Sequence, residues 1–301
     1  MRIPLFDAHC DTLTAVYEHG GGLFENSYMV DMSRLGEYAP SAQVFAVWNG
    51  HYSEKVSLLW RSCAAHATKV SLCRSAQEVR QTNMHGRVAA LLSVEGAENL
   101  DCDIEKLRAA HEHDGVIMIN LCWNYDNALC GAAMGSGSGL TPAGREFVRE
   151  CQSMGVAVDL SHASESTFWH VMEIAEKPVI ASHSDSAALC GAARNLTDNQ
   201  FKVLAASGGG AGINLCPDFL REGGAGIDDV VRHIEHFLSL GGEEAVFLGA
   251  DFDGIDSTPK GLSGVQDMVM LYNALLRRNY SEALVRAIFY DNFMHILERM
   301  Q

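Results

Sequence analysis

No run of apolar residues in this sequence approaches the roughly 20 that a membrane-spanning helix needs, so no membrane span and no membrane partner is expected. Positive charge is also scarce. Lys and Arg number 22 against 38 Asp and Glu, a formal net charge of −16, which repels phosphate backbones and excludes a nucleic-acid partner from the expectation. The nine cysteines (Cys10, Cys63, Cys73, Cys102, Cys122, Cys130, Cys151, Cys190 and Cys216) are odd in number and contain no CxxC pair. Neither a disulfide framework nor a zinc knuckle follows from that spacing, and they read as reduced, buried small hydrophobes. No GxGxxG follows the first apolar run, and the glycine-rich stretch 131–139 lacks the GK[ST] ending of a phosphate loop. That stretch reads instead as a flexible active-site loop or lid. There is no internal repeat and no low-complexity linker, so a single domain over 1–301 is expected. The opening residues lack the apolar stretch of a signal peptide, which makes the cytoplasm the expected location.

What is present is a series of eight short apolar segments at 3–8, 43–48, 87–94, 115–121, 155–160, 178–182, 209–215 and 245–250. Most are near-continuous rather than alternating, the pattern of strands buried on both faces. Helix-like stretches lie between them at 53–67, 103–112, 142–153, 164–175, 197–207 and 226–239, and a closing pair covers 266–278 and 281–299. Thr141 before Pro142 reads as a cap followed by a first-turn proline, and Thr197 with Gln200 reads as a capping box. Alternating strands and helices at this length predict an α/β fold, a (β/α)8 TIM barrel of the metal-dependent hydrolase type.

Chemistry-bearing side chains recur where these runs end: Asp7, His9 and Asp11, then Glu95, His162, His183 and Asp251. A parallel barrel gathers such positions at one face. His9 and Asp11 are two apart and project to the same side of an extended segment, whereas Cys10 turns away as filler. Three histidines and two carboxylates suit two zinc-like ions that share a carboxylate. Asp7 is expected to orient His9, a role that many ligating histidines require, and Asp159 reads as structural. His66, His111, His113, His170, His233, His236 and His295 fall in helix-like stretches and read as surface or packing residues.

The motifs DAHCDT (7–12), SVEGAENL (93–100), GVAVDLSHAS (155–164), PVIASHSDSAALCGAARNLTD (178–198) and LGADFDG (248–254) together resemble the membrane dipeptidase (renal dipeptidase) family of metallopeptidases, in that family's order. The resemblance implies that His9 and Asp11 bind a first zinc, Glu95 bridges, and His162 and His183 bind the second. It also implies that Arg194 takes the substrate carboxylate, that Asp251 is the catalytic acid and base, and that the protein is a homodimer. The chain departs from the family after the fourth strand. INLCWNYDN (119–127) has no histidine where better-known animal members carry a substrate-contacting one, so that contact passes to Asn120, Asn124 or Trp123.

The implied activity is zinc-dependent hydrolysis of dipeptides, including those with a D-residue at the C-terminal position, by water activated between two Zn2+ ions. Asp253, just before Gly254, competes with Asp251 but reads as a loop or cap acid. Two alternatives stand beside this reading: a binuclear amidohydrolase acting on N-acyl amino acids or lactams, and a metal-binding protein without catalysis.

Overall fold

The computed structural model describes residues 2–301. Nine parallel strands form the sheet: β1 (Leu5–Cys10), β2 (Ser41–Val47), β3 (Val70–Leu72), β4 (Val88–Val94), β5 (Val116–Asn120), β6 (Ala157–Asp159), β7 (Ile180–Ala181), β8 (Gly210–Ile213) and β9 (Val246–Leu248). Neighbours run β2-β1-β9-β8-β7-β6-β5-β4, and β2 also pairs with β4, from Ala42↔Ala89 to Val47↔Val94, which closes the ring. Closure leaves the eight ring strands without an unpaired edge and makes this the expected (β/α)8 barrel.

Several elements lie outside the sequence reading, among them the helix Thr12–His19, a third strand and the helix after it. Strand β3 pairs with the start of β4, Val70↔Val88 to Leu72↔Ala90, on the edge that β5 takes over at Leu92↔Val116. The helix Ala76–Met84 follows it, capped by Ser75, which accepts from the Glu78 amide. The caps at Thr141 and Thr197 form as expected, Thr141 accepting from the Gly144 amide and Thr197 exchanging both bonds of a capping box with Gln200.

Strand β1 also runs further than the sequence reading, through Cys10, and it contains a bulge. Its register against β2 moves from Asp7↔Gln43 to Cys10↔Phe45, three steps against two. A bulge resets side-chain alternation. Phe6 belongs to the cluster inside the barrel, and the slip lets His9, an odd number of residues later, face inward as well. Cys10 falls in the other hydrophobic cluster, turned away as expected.

The end of the barrel opposite the site is stoppered by the helix Asn292–Met300. Phe293 packs on Phe6 at 4.7 Å and on Phe247 at 4.8 Å between ring centroids, and the Asn292 amide donates to the carbonyls of Glu243 (2.8 Å) and Val246 (2.7 Å) where β9 starts. All three phenylalanines are fully buried. Phe293→Ala is therefore expected to cost about 3–5 kcal/mol in denaturant unfolding; a loss below 1 kcal/mol would mean that the helix is not the plug. Among the described residues no helix is long and apolar enough to cross a membrane.

Candidate metal centre and active site

Every strand-end group predicted from sequence lies at the C-terminal mouth of the barrel. Asp11 follows β1, Glu95 follows β4, His162 and His183 follow β6 and β7, and Asp251 follows β9. His9 Nε2 is 3.3 Å from Asp11 Oδ2, 3.6 Å from Glu95 Oε2 and 3.8 Å from Asp251 Oδ1. The other Glu95 oxygen, Oε1, is 2.7 Å from His162 Nε2 and 3.6 Å from His183 Nε2. One carboxylate thus spans two groups of candidate ligands, His9/Asp11/Glu95 and Glu95/His162/His183, with His9/His183/Asp251 a third combination.

Partners of the outer ring nitrogens fix the tautomers. His162 Nδ1 faces Asn124 Oδ1 at 2.9 Å, an acceptor, so Nδ1 carries the proton. His183 Nδ1 lies 2.7 Å from Ser182 Oγ, whose own proton goes to Asp159 Oδ2, so His183 also donates from Nδ1. Both Nε2 atoms are then lone-pair donors 3.0 Å apart, with a carboxylate oxygen beside them. Arg194 Nη2 donates to one of these lone pairs, that of His162, and the rest converge as they would around a bound cation.

The charges agree. Burial, with the Asp11 charge adding to it, drives the Glu95 carboxyl up to about 8, and burial drives Asp251 up to about 6. Burial and the nearby Arg194 and His9 charges hold His162 and His183 far below the ordinary imidazole range. Burial pulls His9 down as well, but Glu95 and Asp11 outweigh it and raise its pKa. Carboxyls that burial makes costly to ionise, gathered around His9 and two imidazoles held neutral, are a donor set that a divalent cation would relieve, so the residues fit metal ligation.

Asp7 does not perform the role expected of it. Its Oδ1 accepts from the backbone amides of His9 (3.4 Å) and Ala250 (2.8 Å), tying β1 to β9, while His9 Nδ1 has no hydrogen-bond partner. Asp253 is a loop anchor as expected, its carboxylate taken by Thr12 Oγ1 (2.6 Å) and the Met29 amide (2.8 Å).

A cavity of about 270 Å³ opens over the cage, with Asp251, Arg194, Asn124, Trp48, Trp123, Met134, Phe219 and Ile255 among its lining residues. Asn124 and Trp123 line it, whereas Asn120 is buried outside the lining with both ends of its amide unpaired. Arg194 is 6% exposed, donates to His162 Nε2 at 3.0 Å, and leaves Nη1 without a partner. Among the described residues it makes no ion pair. The glycine-rich stretch contributes Met134 to the rim, and two of its glycines serve close packing: a Cβ on Gly135 would lie 1.9 Å from Asp126 Oδ1, and one on Gly131 2.2 Å from Ser138 O, whereas Gly137, at φ 76°, faces open space. Asp126 fastens the loop by accepting from the amides of Ala132 and Ser136.

Sequence reading missed Asn214. It follows β8, and its Nδ2 donates to Asp251 Oδ2 at 2.9 Å while its Oδ1 accepts from the Cys216 amide at 2.6 Å. The sequence reading places it inside the apolar run 209–215, and only the strand's end at Ile213 puts it at the mouth with the other strand-end polar residues.

The model of the membrane dipeptidase family, peptidase family M19, matches residues 1–301. The chain belongs to this family. Among solved structures, a Rhodobacter sphaeroides metallo peptidase liganded with a phosphinate mimic of the dipeptide L-Ala-D-Ala superposes with a TM-score of 0.89 at 27% identity, covering 100% of both chains. The metallo peptidase called dipeptidase AC gives a TM-score of 0.89 at 28% identity over 99% of each chain. An uncharacterized Klebsiella pneumoniae protein in the pqqA 5′ region is 32% identical over 82% of this chain and 97% of its own length. Membership of a metallopeptidase family agrees with a cage built for divalent ions.

Proposed function

We propose that the protein is a binuclear zinc dipeptidase that hydrolyses the peptide bond of dipeptides and accepts a D-residue at the C-terminal position. The observation that carries this reading is the Glu95 carboxylate, with one oxygen toward His162 and His183 and the other toward His9. Imidazole with carboxylate is ligation typical of zinc, and His9, Asp11, Glu95, His162 and His183 would hold the two ions. When bound, such ions polarise a scissile carbonyl and lower the pKa of a bound water.

The chain's own residues supply the rest. Asp251 Oδ1 lies 3.8 Å from His9 Nε2, placed to take a proton from the attacking water and return it to the leaving amine. Asn214 holds the other oxygen, Oδ2, and so fixes the direction in which Asp251 acts. Arg194, buried and without a carboxylate partner, offers a planar fork to the C-terminal carboxylate of the substrate. Trp48, Trp123, Met134, Phe219 and Ile255 provide apolar walls that limit the substrate's size and exclude water, and Asn124 both borders this space and orients His162. The phosphinate mimic of L-Ala-D-Ala on the Rhodobacter sphaeroides relative supports the D-residue. A homodimer completes the reading on the strength of the family resemblance, and sedimentation analysis tests it.

The central test is turnover of a panel of L,L and L,D dipeptides, with metal analysis of the same sample. Two zinc ions per chain and hydrolysis of both series are expected, with loss of activity on chelation and recovery on adding Zn2+. A sample with neither metal nor turnover would sink the reading.

A further inference from the structure

We propose that Asp159 fixes His183 as a metal ligand by acting through the Ser182 hydroxyl, an inference that rests on the metal-cage reading above. Asp159 ends β6 and is 1% exposed. Its Oδ1 accepts from the Ser161 amide (3.0 Å), the Ser161 hydroxyl (2.7 Å) and the Ser182 amide (2.9 Å), and its Oδ2 accepts from the Ser182 hydroxyl. Among the described residues it makes no ion pair. A buried carboxylate held only by hydroxyl and amide donors is costly to desolvate, and what it organises is one ring.

Ser182 has a single hydroxyl proton. Because Asp159 can only accept, that proton points to the carboxylate, and toward His183 Nδ1, 2.7 Å away, Ser182 can only accept in turn. His183 must therefore carry its proton on Nδ1 and present the Nε2 lone pair to the cage. A second arm sets the main chain: the Ser161 hydroxyl donates to Asp159 and accepts from the His183 amide at 3.0 Å. One carboxylate thus specifies both the tautomer and the backbone position of His183 across the β6–β7 pair. His162 has no such buried chain behind it, since its Nδ1 meets Asn124 Oδ1 on a loop that borders the cavity. Asp159 and Ser182 are positioning residues, as outer partners of ligating histidines commonly are.

Asp159→Asn isolates this role because the shape is kept while one acceptor becomes a donor. The backbone amides of Ser161 and Ser182 compel the new side chain to place its oxygen at the Oδ1 position. Its NH2 then faces the Ser182 hydroxyl, which turns its proton to His183 Nδ1 and drives the ring proton to Nε2, the atom meant for the ion.

Two measurements test this. In metal-free protein, nitrogen-15 NMR of the ring reads the tautomer; in metal-loaded protein, chelator competition reads the hold on each ion. The expected wild-type ring is protonated on Nδ1. In Asp159→Asn the proton is expected on Nε2, with one of the two ions lost about 10- to 100-fold more readily and the other retained. Ser182→Ala, which removes only a hydroxyl, is expected to weaken the same ion and carries the test if Asp159→Asn does not fold. Both variants keeping the wild-type tautomer and the wild-type hold on both ions would overturn the proposal. A wild-type protein that retains no divalent ion would overturn it from beneath, by removing the metal reading, whatever the tautomers show.

Discussion

Asp251→Asn is expected to lower kcat on a dipeptide by about 100- to 10,000-fold, the usual weight of a positioned acid–base group, without emptying the cage of metal. Asp251 Oδ2 is engaged by Asn214 Nδ2 at 2.9 Å, and Asn214 is itself locked because its Oδ1 accepts from the Cys216 amide. An asparagine at 251 must therefore turn its own oxygen to Asn214 and its NH2 to the cage, where it cannot accept a proton. The neighbouring acid cannot substitute, since both oxygens of Asp253 are bound to Thr12 and Met29. Metal content is expected to hold because Glu95, with His9 and Asp11 on one side and His162 and His183 on the other, forms two ligand groups without Asp251. The check is kcat beside metal stoichiometry on one preparation. Near-normal turnover with both ions present would remove Asp251 as the proton carrier, and loss of metal along with activity would make it a ligand.

The barrel and its cage were legible because their signals are local. A buried parallel strand writes itself as a short apolar run, and the residue just after the run lands at the mouth, so His9, Asp11, Glu95, His162, His183 and Asp251 could be found one by one and then brought together by topology. What stayed hidden depends on geometry that no spacing encodes. Strand β3 has three residues and one neighbour, too short for a periodic signal. The bulge in β1, which turns His9 inward, appears only in its register with β2. Strict alternation would have placed His9 on the face of Leu5, in the outer cluster. Asp7 looked like the natural partner of the His9 ring but bonds backbone amides instead, because the same bulge separates carboxylate from imidazole. Glycines alone suggest a flexible run at 131–139, yet Asp126 and Ser138 pack where side chains on Gly135 and Gly131 would stand, a constraint that composition does not show. Asn120 and Asn124 were equal candidates in the sequence, and four residues of loop decide between them: the first ends β5 facing buried surroundings, and the second reaches the cavity.

Arg194→Met is expected to cost about 2–5 kcal/mol in kcat/KM on a dipeptide, the range for removing one partner of a buried charged pair, or roughly 30- to 4,000-fold at 1.4 kcal/mol per decade. Arg194 is 6% exposed, its guanidinium has Phe219 beside it at 5.7 Å, and among the described residues it has no carboxylate within salt-bridge reach. Burying an unpaired cation is unfavourable, and a substrate carboxylate is the partner that relieves it. Two consequences separate this role from a structural one. A dipeptide amide, which offers no negative charge, gains little from Arg194, so the wild-type preference for the free acid over the amide should collapse toward unity in Arg194→Met. Metal should be held at least as tightly as in the wild type, because Arg194 Nη2 lies 3.0 Å from His162 Nε2 and its charge opposes any cation bound there. Arg194→Lys should recover only part of the acid preference, since a point charge cannot reproduce the two parallel bonds of the fork. Equal rates on acid and amide in the wild type would remove the carboxylate clamp and turn the search toward N-acyl or lactam substrates.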